Sequence, residues 1–566
     1  MKKGILLGCL LAAALSVSAG ECNALKEPLL GTLSQELNRN FNVLKKQKPP
    51  VYYLSYQLVR QHTFAASADQ GGLISSAEKQ GAYADIVARA GTAKLDNTHE
   101  LKGQATDLKA ASYAVPVETQ DPLALKNVLW RATQEAAEKA QKEFNKVQTN
   151  IAVSSANTDS SDDFRLPSKS LFCEDSKSLA YDRKTVEERL KRLSLLSKGQ
   201  PFVLDSGAGF SMEQTDNYFV DSVGSRIKTS RVLARFSFYV AGRNEDGMRL
   251  ERNVIFDGVT WDDFPSEEEM AAAMRQALAE LKALKAAPVM EPYIGPVILK
   301  NRASGVFFHE ILGHRVEGHR QKSDSFGQTF TQKVGQQVVS PLLTVSDNPA
   351  LERFNGVPLR GFYRYDDEGV PSQPVTIIEK GVLKNFLMGS SPIKKFPVSN
   401  GHGRKSKGYR AVSRMGNTII TPAETMPYEQ LEARLIEEIK RQGKPYGLII
   451  EDISGGFTMT DTSAPQSFKV NPLLVYRIYP DGHKEVVRGA DLVGTPLTSF
   501  SRVIAAGDDY VVFNGTCGAE SGWVPVSAVS PSVLVSEMEV EKVEKSSSKP
   551  PLLLPPAAEK SAKEGK

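Results

Sequence analysis

The sequence predicts an α+β protein, with a mixed amino-terminal domain followed by a sheet-rich domain. Three observations carry this expectation. Apolar residues recur at helical spacing in two early segments, around Leu30–Leu44 and Val128–Phe144. Between Val232 and Val240 the pattern changes to strict alternation. From Pro292 to Glu544 short apolar runs separated by Gly, Pro and Asp dominate. At 566 residues the chain is too long for one ordinary core, so more than one domain is expected. We place the amino-terminal domain at 24–290 and the sheet-rich domain at 291–544.

The elements follow in order. Leu30, Leu33, Leu37, Phe41 and Leu44 form one helical stripe, and Pro49-Pro50 ends it. Strand-like runs lie at Tyr52–Val59 and Tyr83–Ala90. A second helix reads from Pro122 to about Val147, burying Val128, Leu129, Ala132, Ala136 and Phe144. The acidic, polar stretch Asn157–Asp163 reads as a loop. The even positions from 232 to 240 are Val, Ala, Phe, Phe and Val, the period of a half-buried strand. Asp246-Gly247 should turn it back onto Arg249–Phe256 as a hairpin. Ser266-Glu267-Glu268-Glu269 opens a helix with a capping box, and Arg275, Lys282 and Lys285 lie toward its far end, as the helix dipole favours. Strands are expected at Thr376–Ile378, Val382–Leu387, Leu448–Asp452, Leu473–Tyr479 and Val486–Arg488, with a hairpin tip at Pro480-Asp481-Gly482 and one helix around Tyr428–Lys440. Gly455-Gly456 reads as a turn, and Trp130, Trp261 and Trp523 as core or interface. Residues 545–566 have little to bury and read as a disordered tail.

Composition narrows the function classes. Apolar residues make up 41% and charged residues 24%, ordinary for a globular protein. A net charge of +4 with no concentrated basic stripe argues against nucleic acid as a partner. Lys2 and Lys3 precede an apolar run, Gly4–Val17, and Val17-Ser18-Ala19 offers small residues for cleavage: residues 1–19 have the order of a signal peptide. Export to the periplasm or outside the cell is therefore expected, without stable membrane insertion, because no other stretch is apolar enough to span a bilayer. Cleavage after Ala19 leaves Cys22, Cys173 and Cys517. An odd thiol in an exported chain is either unpaired or given to a metal, and Cys22 with Cys173 is the pairing that spares Cys517.

Residues 301–320 read NRASGVFFHEILGHRVEGHR, placing His309, His314 and His319, three of the seven histidines, in one short block. Histidine is a common zinc ligand, and a Glu directly after a ligand can sit close to water at the metal. His309 and His314 are five apart, so an ideal helix would turn them away from each other by roughly 140°. Sharing one metal requires a π-bulge or an end to the helix near Gly313.

The block His309-Glu310-x-x-Gly313-His314, followed by Glu317-Gly318, resembles the signature of the TldD/PmbA family of metallopeptidases. The resemblance continues through Tyr365–Gln373, Ile378–Leu383, Gly401–Arg404, Arg414–Thr418, Phe513–Gly518 and Val524–Val526, and covers roughly 295–540. It implies His309, His314 and Cys517 as ligands of Zn2+, Glu310 as the catalytic proton-transfer group, and hydrolysis of unfolded peptides or flexible protein segments. It also implies a dimer, either a homodimer or a heterodimer with a related chain. The rival reading is a non-catalytic assembly partner, a class that in this family lacks the metal residues; a second is a metal or thiol-redox protein without peptidase activity. Two departures stand out. His319 occupies a place where the resemblance leads us to expect an acidic residue, and makes it a competitor for the third ligand position. Ala519-Glu520-Ser521 replaces a more basic continuation. His402 and Arg404 lie in a Gly-rich loop that could touch substrate.

Overall fold

The computed structural model describes residues 22–101, 107–117, 121–153, 159–322, 328–458, 468–494, 501–543 and Leu553. The expected signal peptide, part of the 157–163 loop and nearly all of the expected tail lie outside these residues.

The amino-terminal part is built on a seven-stranded sheet whose central strands are unusually long: Val51–Asp69, Gly72–Ala90, Asp205–Asp221 and Arg226–Arg243. The first two form one hairpin turning at Gln70-Gly71, both at positive φ, which suits the right-handed twist of paired strands. They extend well past the two apolar runs visible in the sequence. Residues 60–82 carry few apolar side chains, so the strand persists there through pairing rather than through its own pattern.

The strand period explains the layering. Even-numbered Leu54, Tyr56, Phe64 and Ala66 are buried under helices, as are Phe210, Met212, Tyr218 and Val220, and Val232 through Val240 at even positions. Helices Pro28–Leu44 and Pro122–Val153 cover one end of this face, and Arg183–Ser194 and Glu267–Ala286 the other. The odd-numbered residues, among them Gln57, Gln61, Thr215 and Arg231, turn to a cleft against the carboxy-terminal part. The expected capping box is formed: Ser266 accepts from Glu269 N while Glu269 accepts from Ser266 N. The second helix runs to Val153, past the expected end near Val147. A disulfide joins Cys22 to Cys173.

The carboxy-terminal part holds two sheets around one core. In the first, Gly447–Thr458, Tyr293–Leu299, Val533–Lys542, Ala490–Gly494 and Phe468–Ile478 pair in sequence, and the last pairs back with the first. The second has six strands and ends on Gly522–Ser530 and Val511–Ala519. Pro531-Ser532 carries the chain from one sheet to the other. Helix Asn301–Ile311 is packed against strands of both sheets, and Ala303 through His309 are all buried.

Three expectations need correction here. Val382–Leu387 is a strand only at Val382–Leu383, because Leu387 leaves to bond with Val316 and Gly318, beside the histidine block. Gly455-Gly456 is no turn but part of strand Gly447–Thr458. Trp130 and Trp523 are 48% and 68% exposed, so neither is a core residue, whereas Trp261 packs among Phe210, Phe236 and Phe264.

Candidate metal centre

The geometry begins where helix Asn301–Ile311 stops. After Leu312 the chain tightens into a 3-10 turn, Gly313–Val316, instead of continuing as an α-helix. Two contacts make the stop local and specific. Arg315 Nη1 donates to Ile311 O at 2.8 Å and to Thr458 Oγ1 at 2.6 Å, satisfying a carbonyl of the last turn. A Cβ on Gly313 would lie 1.9 Å from Met415 Sδ, so only glycine lets the turn close against that side chain. The consequence is that His309 and His314 face each other, with ring centroids 5.3 Å apart and planes at 81°.

Cys517 arrives from strand Val511–Ala519, and its Sγ lies 3.3 Å from His314 Nε2. One nitrogen from each histidine and the sulfur all lie within 4.8 Å of one another, the one such grouping found among the described residues. All three residues are buried. His309 Nδ1 is buried with no hydrogen-bond partner, and Glu317 Oε2 lies 3.2 Å from His314 Nδ1, turning Nε2 of that ring toward the sulfur. Two imidazoles and a thiol, packed together with a carboxylate behind one ring, are a donor set that fits a tetrahedral metal.

The charges agree. Burial opposes ionisation of Cys517, yet the adjacent His314 and His309 hold its thiol well below the usual range. Burial likewise opposes charging His314, but Cys517 and Glu317 raise it well above an ordinary histidine, and Cys517 raises His309. In the absence of a metal, then, the neighbours favour a proton on each imidazole and its loss from the thiol. A metal must displace those protons, so its apparent affinity should weaken as pH falls through neutrality and binding should release protons. Calorimetric titrations in buffers of different ionisation heat measure this; a pH-independent affinity would exclude the two imidazoles as ligands.

Glu310, next to His309, lines the open cavity of about 640 Å³ beside the three donors. Burial is the main cause of its raised pKa, with His309 and His314 pulling the other way. A Cβ on Gly456 would lie 3.0 Å from Lys469 O and Val470 Cγ2 on the neighbouring strand and 3.1 Å from Glu310 Cγ, a crowded position that suits a glycine inside a strand.

His319 is not in the cluster. Its Nε2 meets Glu520 Oε1 at 2.5 Å, and Arg320 Nη2 donates to Glu520 Oε2 at 2.7 Å. The two departures noted in the sequence therefore meet in space as one ion pair, with the signs exchanged. His402 is fully buried, with Nδ1 2.9 Å from Asn400 Oδ1 and Nε2 3.3 Å from Asp347 Oδ1, whereas Arg404 donates to Met415 O and lines the cleft between the two parts of the chain. His62 and His99 pair with Glu78 and Asp163, and His483 is exposed beside Asp481.

Sequence reasoning missed the residues behind the ligands. Glu317 is fully buried, and His314 and Arg320 hold its pKa at about 2 against the effect of burial. Arg414 donates to Cys517 O and Sγ, with its Nε 3.5 Å from Glu317 Oε1. Both stand in motif segments singled out above, so position marked them; Glu317 meets His314 and Arg320 within its own block, whereas Arg414 meets Cys517, Ser521 and Gly522 far along the chain.

Residues 293–542 match the family model for the PmbA/TldA metallopeptidase C-terminal domain. Among curated proteins, the metalloprotease TldD homolog of Haemophilus influenzae is 31% identical over 272 residues, which is 47% of this chain and 52% of that protein. The zinc metalloprotease TldD homolog of Saccharolobus solfataricus is 25% identical, over 63% of this chain and 76% of its own length. The match thus spans about half the length of the first relative. Among solved structures, TldE from Thermococcus kodakarensis superposes with a TM-score of 0.58 at 13% identity, covering 90% of this chain and all of that one, a likeness of fold.

Proposed function

With a carboxy-terminal domain that belongs to the TldD/PmbA family of metallopeptidases, we propose that this protein is a zinc-dependent peptidase acting on unfolded peptides or flexible protein segments. The carrying observation is the convergence of His309, His314 and Cys517 beside Glu310 in one open cavity. Soft sulfur with imidazole favours zinc over magnesium or calcium. Zinc, when bound, supplies Lewis acidity that polarises a peptide carbonyl and acidifies water.

The chain's own residues do the rest. Glu310 takes a proton from the attacking water and delivers it to the leaving amine, and burial makes its carboxylate a stronger base than an exposed one. Strand Val511–Ala519 ends its sheet, and residues 454–458 line the opposite wall, so an extended substrate can bond to strand backbone on either side. Exposed Trp523 and Phe457 flank that path. The test is mass spectrometry of peptide mixtures incubated with the zinc-loaded protein. Cleavage should vanish on chelation and return with zinc; intact peptides throughout would leave the non-catalytic assembly partner as the reading.

We further propose export and assembly as a dimer with itself or a related chain. The Cys22–Cys173 disulfide supports an oxidising compartment. Protein from the native host should begin near Gly20 with that disulfide formed, by intact mass and terminal sequencing; a dominant Met1 terminus would sink the export reading.

A further inference from the structure

We propose that Arg414 is a positioning residue for the metal centre, holding Cys517 by an N–H···S bond and by the backbone around it. This rests on the metal reading above. Arg414 is fully buried, on the segment just before strand Asn417–Pro422. Its Nη2 donates to Cys517 O at 2.8 Å and to Cys517 Sγ at 3.2 Å. Nη1 donates to Ser521 Oγ at 3.1 Å and to Gly522 O at 3.0 Å, across the turn that joins the cysteine strand to its neighbour. Nε lies 3.5 Å from Glu317 Oε1, the carboxylate whose other oxygen faces His314. One planar guanidinium thus spans the supports of two ligands from two separate parts of the chain.

The chemistry distinguishes this from mere packing. A cationic donor on a thiolate withdraws electron density from sulfur, so the sulfur gives less charge to the metal and the metal stays a stronger Lewis acid. The fork geometry fixes where the sulfur lone pairs point, which a lysine ammonium on a flexible stem cannot reproduce. Arg414 also places a positive charge beside Glu317, so that this buried carboxylate is balanced by Arg320 and Arg414 as well as by His314.

The test uses the full-length protein loaded with cobalt in place of zinc, where a thiolate-to-metal charge-transfer band reports the sulfur directly. Arg414→Lys keeps the charge and should weaken metal affinity by about 10–100-fold in chelator competition, the scale of a lost outer partner. Its charge-transfer band should move to longer wavelength, as the sulfur becomes the stronger donor. Ser521→Ala, which keeps the guanidinium in place and removes one of its Nη1 acceptors, guards against misfolding of the lysine variant and should shift the band the same way by less. Wild-type affinity with an unmoved band in the folded variants overturns the role of Arg414. A wild-type protein that binds cobalt with no such band, or binds none, overturns the proposal at its root, because Cys517 is then no ligand.

Discussion

Glu310→Gln is expected to bind zinc as tightly as the wild type and to cleave peptides at least about a hundredfold more slowly, the usual scale of a lost general base. The first half follows from geometry. Glu310 contributes none of the three converging donor atoms, and His309 and His314 are oriented by the helix end and by Glu317. Glutamine has the same shape, so it passes Gly456 at the same close approach. The second half follows from chemistry. An amide oxygen cannot take the proton that the carboxylate takes, and among the described residues no other carboxylate lines that cavity except Glu520, which is committed to His319 and Arg320. Metal content by elemental analysis and turnover on one defined peptide separate the two halves. Near-normal turnover would assign proton transfer to another group, whereas lost metal would make Glu310 part of the coordination.

How much of this was legible beforehand depended on the range of the interaction. The alternation at 232–240 and the capping box at Ser266–Glu269 are local, and the structure reproduces both. The need for a helix end near Gly313 could also be read from a five-residue spacing alone. What forces the end could not, because Met415 and Thr458 are more than a hundred residues away. Cys517 was reachable only through resemblance, since it lies 203 residues beyond His314. The long strands were under-read because Gln61 and Thr63 face a polar cleft and most of residues 72–80 are exposed, so little apolar alternation marks them. Gly455-Gly456 has the composition of a turn, yet Gly456 sits in a strand, crowded by Lys469, Val470 and Glu310. His319 and Glu520 each looked like a local anomaly; only their 2.5 Å contact shows that they answer one another.

That contact also holds His319 Nε2 apart from the cluster, and the experiment that tests the third ligand has a large expected effect. Cys517→Ala should lose most metal affinity, whereas His319→Ala should keep it. Multi-ligand zinc sites bind with about 10–16 kcal/mol, so removing one of three protein ligands should cost roughly 3–5 kcal/mol, or two to four orders of magnitude in affinity. His319 cannot compensate in the present arrangement, because its Nε2 is held by Glu520 and that carboxylate is in turn held by Arg320. Cys517 sits in a strand paired along its length with Gly522–Ser530, so alanine there removes the sulfur without removing the backbone that carries it. The fold should therefore survive, and circular dichroism with a thermal melt of the metal-free variant checks that it does. Chelator competition then gives the affinities of both variants against the wild type. If Cys517→Ala bound zinc like the wild type and His319→Ala did not, the coordination would run through His309, His314 and His319, and the thiol would be left as a buried bystander.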